Sequence, residues 1–127
     1  MCLREHDDGG RTVDVNMAIA GLDNGVTKIT LSGRLDTPGV DRIEARLVAT
    51  VVPNNRSAII DVSGVDFITS MGIRMLITVA RSLALRQAKI ALYGAQSMVN
   101  EVFERVALPQ IIPVVASEAD AISAVLC

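Results

Sequence analysis

From Met17 to the C-terminus, short apolar runs of strand length alternate with longer segments of helical periodicity. The run Ser57–Val62 is mostly apolar, which is typical of a strand covered on both faces. The segment after it repeats apolar residues every three or four positions, from Ile73 through Leu76 to Leu83, as one buried face of a helix requires. The order β-β-α-β-α-β-α-β-α therefore predicts an α/β fold, because helices that alternate with buried strands favour parallel pairing. We expect a mixed, mostly parallel sheet of about five strands with four helices packed against it.

The length of 127 residues fits one compact domain. We expect this domain to span residues 17–127 and to follow a flexible polar leader over residues 1–16, where no apolar periodicity is evident. The first two strands, Met17–Leu22 and Val26–Ser32, are separated by a turn sequence and are expected to pair as a hairpin.

Proline positions predict two further boundaries. Thr37 is expected to cap the first helix, because Pro38 suits the first helical turn, where a missing N–H costs nothing. Pro113 interrupts the expected strand Ile111–Val115. That strand is therefore predicted at an edge of the sheet, where one row of N–H groups has no partner strand.

The composition excludes several classes of protein. With 12 basic and 14 acidic residues the net charge is −2, so the cationic excess that binds nucleic-acid phosphates is absent. The two cysteines stand at positions 2 and 127, and His6 is the single histidine. This distribution predicts no disulfide, no metal site and no cofactor. The polar N-terminal residues and the lack of an apolar run of about 18 residues predict a cytoplasmic protein without a membrane segment.

Ser70 stands where the second helix is expected to begin, and three interpretations fit this position. A serine at a helix N-cap accepts a hydrogen bond from a helix N–H and typically contributes about 1 kcal/mol, which is a purely structural role. A nucleophile in a G-x-S-x-G elbow is the second, although Ile68–Gly72 lacks the first glycine and no histidine follows to act as base. The third is regulatory phosphorylation, because the positive end of a helix tolerates an anion.

Two segments carry a recognisable pattern. Leu31–Asp36 reads L-S-G-R-L-D, and Ile59–Ile73 reads I-I-D-V-S-G-V-D-F-I-T-S-M-G-I. They are similar to the L-x-G-x-L-D and V-L-D-L-x-x-V-x-F-x-D-S-S-G-L segments of the STAS family. Together with the order of elements from Met17 onward, the chain most resembles the stand-alone anti-sigma factor antagonists of bacterial partner-switching systems.

This resemblance implies a non-enzymatic regulator. In that family, the serine that aligns with Ser70 is phosphorylated by a serine kinase that is also the anti-sigma factor, and a metal-dependent serine phosphatase removes the phosphate. The unmodified antagonist binds the kinase and frees the sigma factor. The resemblance therefore implies both enzymes as partners, in a monomer or weak homodimer. The alternative is a STAS scaffold or sensor subunit of a larger signalling assembly, in which Ser70 is never phosphorylated.

The chain departs from the family pattern beside the serine. Thr69 replaces an acid and becomes an alternative phosphate acceptor, Met71 replaces a second serine, and Arg34 replaces an acid before Leu-Asp. Asp36 is interpreted first as a residue that stabilises the positive end of the first helix, a role compatible with partner contact. Arg74 is expected to be exposed and within reach of a phosphate on Ser70, because residues four apart are neighbours on a helix. The expected partner-binding residues are Asp36, Thr69, Ser70, Met71, Gly72 and Arg74.

Overall fold

A six-stranded sheet, with its strands in sequence order, runs through the part of the chain that the structure describes. The structure is a computed structural model that describes residues 2–6, 12–22, 24–54 and 56–126. The strands are β1 (Cys2–His6), β2 (Thr12–Gly21), β3 (Thr27–Leu35), β4 (Ala58–Ile68), β5 (Ile90–Tyr93) and β6 (Val114–Val115). The helices are α1 (Thr37–Val51), α2 (Ser70–Leu85), α3 (Ser97–Arg105) and α4 (Glu118–Leu126), with short 3₁₀ turns at Val52–Asn54 and Leu108–Gln110.

The pairing of the strands confirms the predicted α/β class. Strands β1, β2 and β3 pair antiparallel, and β3 to β6 pair in parallel, which gives a mixed sheet. In the predicted hairpin of β2 and β3, Met17 lies opposite Leu31.

The N-terminal segment differs from the expected flexible leader wherever its residues are described. Cys2–His6 forms an edge strand that the sequence did not predict, and β2 already begins at Thr12. The reason lies in an alternating pattern that polar residues obscure, because Val15 and Met17 are each 1% exposed and point into the core. Residues 1 and 7–11 of the expected leader lie outside the described residues.

The run Ser57–Val62 is covered on both faces of the sheet, as its apolar composition predicted. Ile60 belongs to the main core, which α1, α2 and α3 cover, whereas its neighbour Ile59 belongs to a second cluster beneath α4. Successive strand residues point to opposite faces, so a strand with helices on both sides requires apolar residues at consecutive positions.

The predicted edge position of the last strand is confirmed, but this strand is shorter than Ile111–Val115. It contains only Val114 and Val115, and it follows the 3₁₀ turn at Leu108–Gln110. Pro113 precedes the strand, and its carbonyl oxygen accepts a hydrogen bond from the Leu92 N–H at 2.9 Å. Proline thus serves as an acceptor at a position where it need not donate.

Candidate functional site

The ends of β3 and β4 bring the predicted site residues together. The two strands are parallel and Leu35 lies opposite Ile68, so α1 and α2 begin side by side at the same edge of the sheet. In open α/β sheets, the carboxyl ends of the strands are where ligands and partners are bound. We call the surface formed by residues 34–36 and 67–74 the helix-start surface.

Asp36 is the N-cap of α1. Its Oδ1 accepts a hydrogen bond from the Gly39 N–H at 3.0 Å, which satisfies one of the helix amides that lack an intrahelical acceptor. The predicted cap at Thr37 is therefore wrong by one residue. Thr37 is instead the first helical residue, because the aspartate before it has the extended backbone and the short carboxylate that a cap requires. The structural role expected for Asp36 is confirmed.

Thr69 connects the beginning of α2 to the end of β3 by two hydrogen bonds. Its N–H and its Oγ1 both donate to the carbonyl oxygen of Leu35, at 3.1 Å and 3.0 Å. Thr69 is the N-cap of α2, with an extended backbone (φ −109°, ψ 175°), although its side chain makes no hydrogen bond to the helix. The prediction that Ser70 caps this helix is therefore wrong, because the hydrogen bonds to Leu35 hold Thr69 in the extended cap conformation.

Ser70 is exposed at the first helical position of α2. Within residues 2–6, 12–22, 24–54 and 56–126, its hydroxyl has no hydrogen-bond partner. The amides of a first helical turn have no intrahelical acceptor, and the aligned peptide dipoles leave a partial positive charge there. The position can therefore carry an anion with little cost to the fold.

Gly72 is buried where α2 passes closest to β3. A Cβ atom at this position would lie 2.8 Å from Ile68 Cγ1, which is closer than real Cβ contacts, and 3.0 Å from Leu35 Cβ, which is tighter than most of them. The structure thus gives Gly72 a packing role and leaves it little surface for a partner. Met71 is half-buried and packs against the core.

The remaining predicted residue, Arg74, is exposed as expected, one helical turn after Ser70. Thr78 and Arg81 continue the same exposed face, and the Thr78 hydroxyl donates to the Arg74 carbonyl oxygen at 2.9 Å. Ser70, Arg74, Thr78 and Arg81 therefore form one exposed stripe along α2, which contains no acidic residue.

The sequence did not predict the arrangement of Arg34 in this site. Its guanidinium lies 4.1 Å from the centre of the Phe67 ring, and its Nε donates to Asp36 Oδ2 at 3.3 Å. A cation over an aromatic face is attractive, although both partners are accessible to water here. This contact could not be predicted from the sequence, because Arg34 and Phe67 become opposite residues only when β3 pairs with β4.

A second polar cluster lies under α4, away from the helix-start surface. Lys28 Nζ contacts Glu118 Oε1 at 2.6 Å, and the Tyr93 hydroxyl donates to the same oxygen at 3.1 Å. The hydrogen bond with Lys28 lowers the pKa of Glu118, and in turn the pKa of Lys28 is raised. Burial, with a smaller contribution from Asp61, raises the pKa of Tyr93 to about 12. This cluster attaches α4 to the sheet.

Two classes of site find no support in the described residues. No group of three or more His, Cys, Asp or Glu side chains is arranged to hold a metal ion there. Over the same ranges, no helix has the length and apolar character needed to cross a membrane.

Comparison with protein families gives one decisive match. The model of the STAS domain covers residues 18–121, which include the starts of α1 and α2 and therefore Ser70. The chain belongs to the STAS domain family. The sequence resemblance based on Leu31–Asp36 and Ile59–Ile73 is thereby confirmed.

Several known proteins are similar to this STAS domain, one in sequence and others in their solved structures. BtrV of Bordetella bronchiseptica, named as a candidate anti-sigma factor antagonist, is 31% identical over 101 residues, which are 80% of this chain and 87% of BtrV. An anti-sigma factor antagonist from Mycobacterium paratuberculosis superposes with a TM-score of 0.78 at 21% identity, over 89% of this chain and 95% of that one. The Bacillus cell fate determinant SpoIIAA in its phosphorylated form gives 0.63 at 21% identity, over 84% and 96% of the two chains.

Proposed function

We propose that this STAS domain is an anti-sigma factor antagonist in a partner-switching pathway. In the unphosphorylated state it binds a serine-kinase anti-sigma factor, and phosphorylation of Ser70 releases it. A serine phosphatase restores the binding state. The observation that carries this proposal is the exposed Ser70 hydroxyl at the positive end of α2.

The hydrogen bonds favour Ser70 over Thr69 as the phosphate acceptor. Thr69 is half-buried and its hydroxyl already donates to the Leu35 carbonyl oxygen, so phosphorylation there would break the attachment of α2 to β3. The Ser70 hydroxyl has no such bond within the described residues. A kinase can therefore reach Ser70 without unfolding the start of the helix.

The charge of the phosphate explains how one modification reverses binding. A phosphoserine adds a charge of about −1.5 to −2, and a helix N-terminus stabilises a nearby anion by about 0.3–1 kcal/mol. The fold therefore tolerates the modification. A partner docked over the same residues would have to bury that charge, and a loss of about 3 kcal/mol weakens binding about a hundredfold.

The relatives support the same role. BtrV carries the name of an anti-sigma factor antagonist at 31% identity, and SpoIIAA has been solved in a phosphorylated form. The proposal is non-enzymatic and needs no bound cofactor. It places the domain in the cytoplasm with its kinase, as a monomer or weak homodimer that leaves the helix-start surface accessible.

The test uses serine-kinase anti-sigma factors from the organism that encodes this chain. The purified chain is incubated with each of these kinases, Mg²⁺ and ATP, and phosphate is counted by intact mass and located by peptide mass spectrometry. We expect one phosphate on Ser70, none on Ser70→Ala, and continued phosphorylation of Thr69→Val, which keeps the shape of threonine without its hydroxyl. Phosphorylation of Ser70→Ala at the rate of the natural chain would overturn the proposal.

The second arm of the test measures binding without ATP. We expect the unphosphorylated chain to bind the kinase, and the phosphorylated chain to bind about a hundredfold more weakly. Equal dissociation constants for the two forms would show that the phosphate is not a switch on this contact.

A further inference from the structure

A small apolar groove lies between the end of β4 and α3, beside the helix-start surface. Phe67 and Ile68 of the strand and Met98, Val99 and Val102 of the helix line it, and its volume is about 80 Å³. Sites for small molecules and cofactors enclose roughly 300–1,000 Å³. The groove is therefore the size of a single side chain.

Contacts within the fold connect the groove to the start of α2. Ile68 forms one wall, and its Cγ1 is the atom that a Cβ on Gly72 would meet at 2.8 Å. Phe67 forms another wall, and its ring is covered by the Arg34 guanidinium at 4.1 Å. A partner that covers Ser70 therefore lies next to the groove.

Met98 is the exposed member of the lining. It is 65% exposed, whereas Val99 one residue later is 1% exposed and belongs to the core. Methionine is flexible and polarizable, and it is common on surfaces that bind partner proteins. Binding energy in protein interfaces is concentrated in a few apolar anchors that fill pockets of this kind.

The two helices beside the groove differ in net charge, which is positive for α2 and negative for α3, and this difference indicates the chemistry of a partner. On one side, Arg34 is half-exposed and α2 presents Arg74 and Arg81 with no acidic residue. On the other side, α3 presents the exposed Glu101, Glu104 and Arg105, and Asp66 is exposed directly before Phe67. A partner segment with carboxylates over α2 and an uncharged apolar side chain over α3 complements this pattern.

We propose that the groove receives one aliphatic side chain from an acidic segment of the anti-sigma kinase, whose carboxylates face the arginines of α2. The inference rests on the proposed function, because it takes the kinase as the occupant. It adds a contact on α3 to the helix-start surface and gives Met98 the role of a groove wall that packs against the partner's aliphatic side chain. Phosphorylation at Ser70 then adds a dianion to the same stripe of α2 as Arg74, where it repels the carboxylates of that segment.

Two matched variants test the inference. Met98→Gln replaces an exposed apolar side chain at the groove by a polar one of similar length. Leu85→Gln does the same at the far end of α2, where Leu85 is 88% exposed. Both variants are first checked for unchanged folding by circular dichroism. Binding to the serine kinase that phosphorylates the natural chain is then measured without ATP, and phosphorylation of Ser70 is measured with ATP.

We expect Met98→Gln to weaken binding at least about tenfold, which is the usual loss when the contact of an interface anchor is removed. Leu85→Gln is expected to bind as the natural chain does. Arg74→Gln is expected to weaken binding and to reduce its dependence on salt, because one charge pair is lost.

Suppose that the natural chain binds the kinase and accepts phosphate on Ser70. If Met98→Gln then binds the kinase with the same dissociation constant as the natural chain, this inference is overturned and the proposed function stays intact. Equal losses of kinase affinity in Met98→Gln and Leu85→Gln would also overturn it, since the loss would then not depend on the groove. If the natural chain itself neither binds nor accepts phosphate, the proposed function is overturned, and this inference with it.

Discussion

Replacement of Gly72 by alanine is a direct test of how closely α2 packs against β3. The added Cβ would lie 2.8 Å from Ile68 Cγ1 and 3.0 Å from both the Cβ and the carbonyl oxygen of Leu35. The Ile68 side chain is β-branched and buried in the core, so it has little freedom to rotate, and the Leu35 atoms belong to a strand between two hydrogen-bonded neighbours. The first turn of α2 must therefore shift outward.

The expected loss follows from two opposing effects. Overpacking of this kind costs about 1–3 kcal/mol, and alanine is preferred over glycine in helices by about 1 kcal/mol. Because three heavy atoms lie within 3.0 Å of the added Cβ, we expect the upper part of the overpacking range, about 2–3 kcal/mol, so that Gly72→Ala lowers the free energy of unfolding by about 1–2 kcal/mol. With a urea dependence of about 2 kcal/mol per molar, the unfolding midpoint falls by about 0.5–1 M.

The assay is urea unfolding followed by circular dichroism, with Gly21→Ala as the matched control. Gly21 ends β2, and a Cβ at that position would meet no atom within 4 Å, so this variant should keep the natural midpoint. A midpoint for Gly72→Ala equal to that of the natural chain would refute the close approach of α2 to Leu35.

Three further outcomes follow from the same contacts. Asp36→Ala removes the cap of α1 and should cost about 1 kcal/mol of unfolding free energy, whereas Asp36→Ser, which can still cap, should cost less in the same urea assay. Arg74→Ala should speed removal of phosphate from phosphorylated Ser70 by the cognate phosphatase, and equal rates would show that the guanidinium does not touch the phosphate. Glu118→Gln should cost a few tenths of a kcal/mol near neutral pH, because the ion pair with Lys28 is accessible to water. The folded state lowers the pKa of Glu118 below its ordinary 4.5. The stability difference between Glu118→Gln and the natural chain should therefore be present above pH 4.5 and disappear as the pH falls through the lowered pKa. Unfolding curves at several pH values would measure this.

The sequence predicted best those elements whose apolar pattern stays regular over their whole length. The helix after Ser70 has the location and burial that its pattern indicated, and the run Ser57–Val62 is buried as expected, although its strand begins at Ala58 and continues to Ile68. Strand β1 and the first residues of β2 were missed because single polar residues interrupt the alternation and because β1 depends on pairing with β2. The caps were displaced by one residue at both helix starts, since any short polar side chain before a helix can serve as the cap.

The site could be predicted only in part for a similar reason. Ser70 and Arg74 have exposed positions that follow from helical periodicity, and the structure confirms them. The attachment of Thr69 to Leu35 spans 34 positions along the chain, and neither residue signals it alone. Likewise, Phe67 and Met98 come together in one groove only through the packing of α3 on β4.

The double hydrogen bond from Thr69 to the Leu35 carbonyl has a consequence for how a signal leaves this protein. Because the peptide that precedes Ser70 is fixed to a central strand, adding phosphate alters the local electrical potential while the backbone stays in place. The modified and unmodified molecules should then superpose, and a binding protein must tell them apart by repulsion alone. The partner would then respond to phosphorylation although the phosphorylated and unphosphorylated forms of the STAS domain have the same backbone conformation.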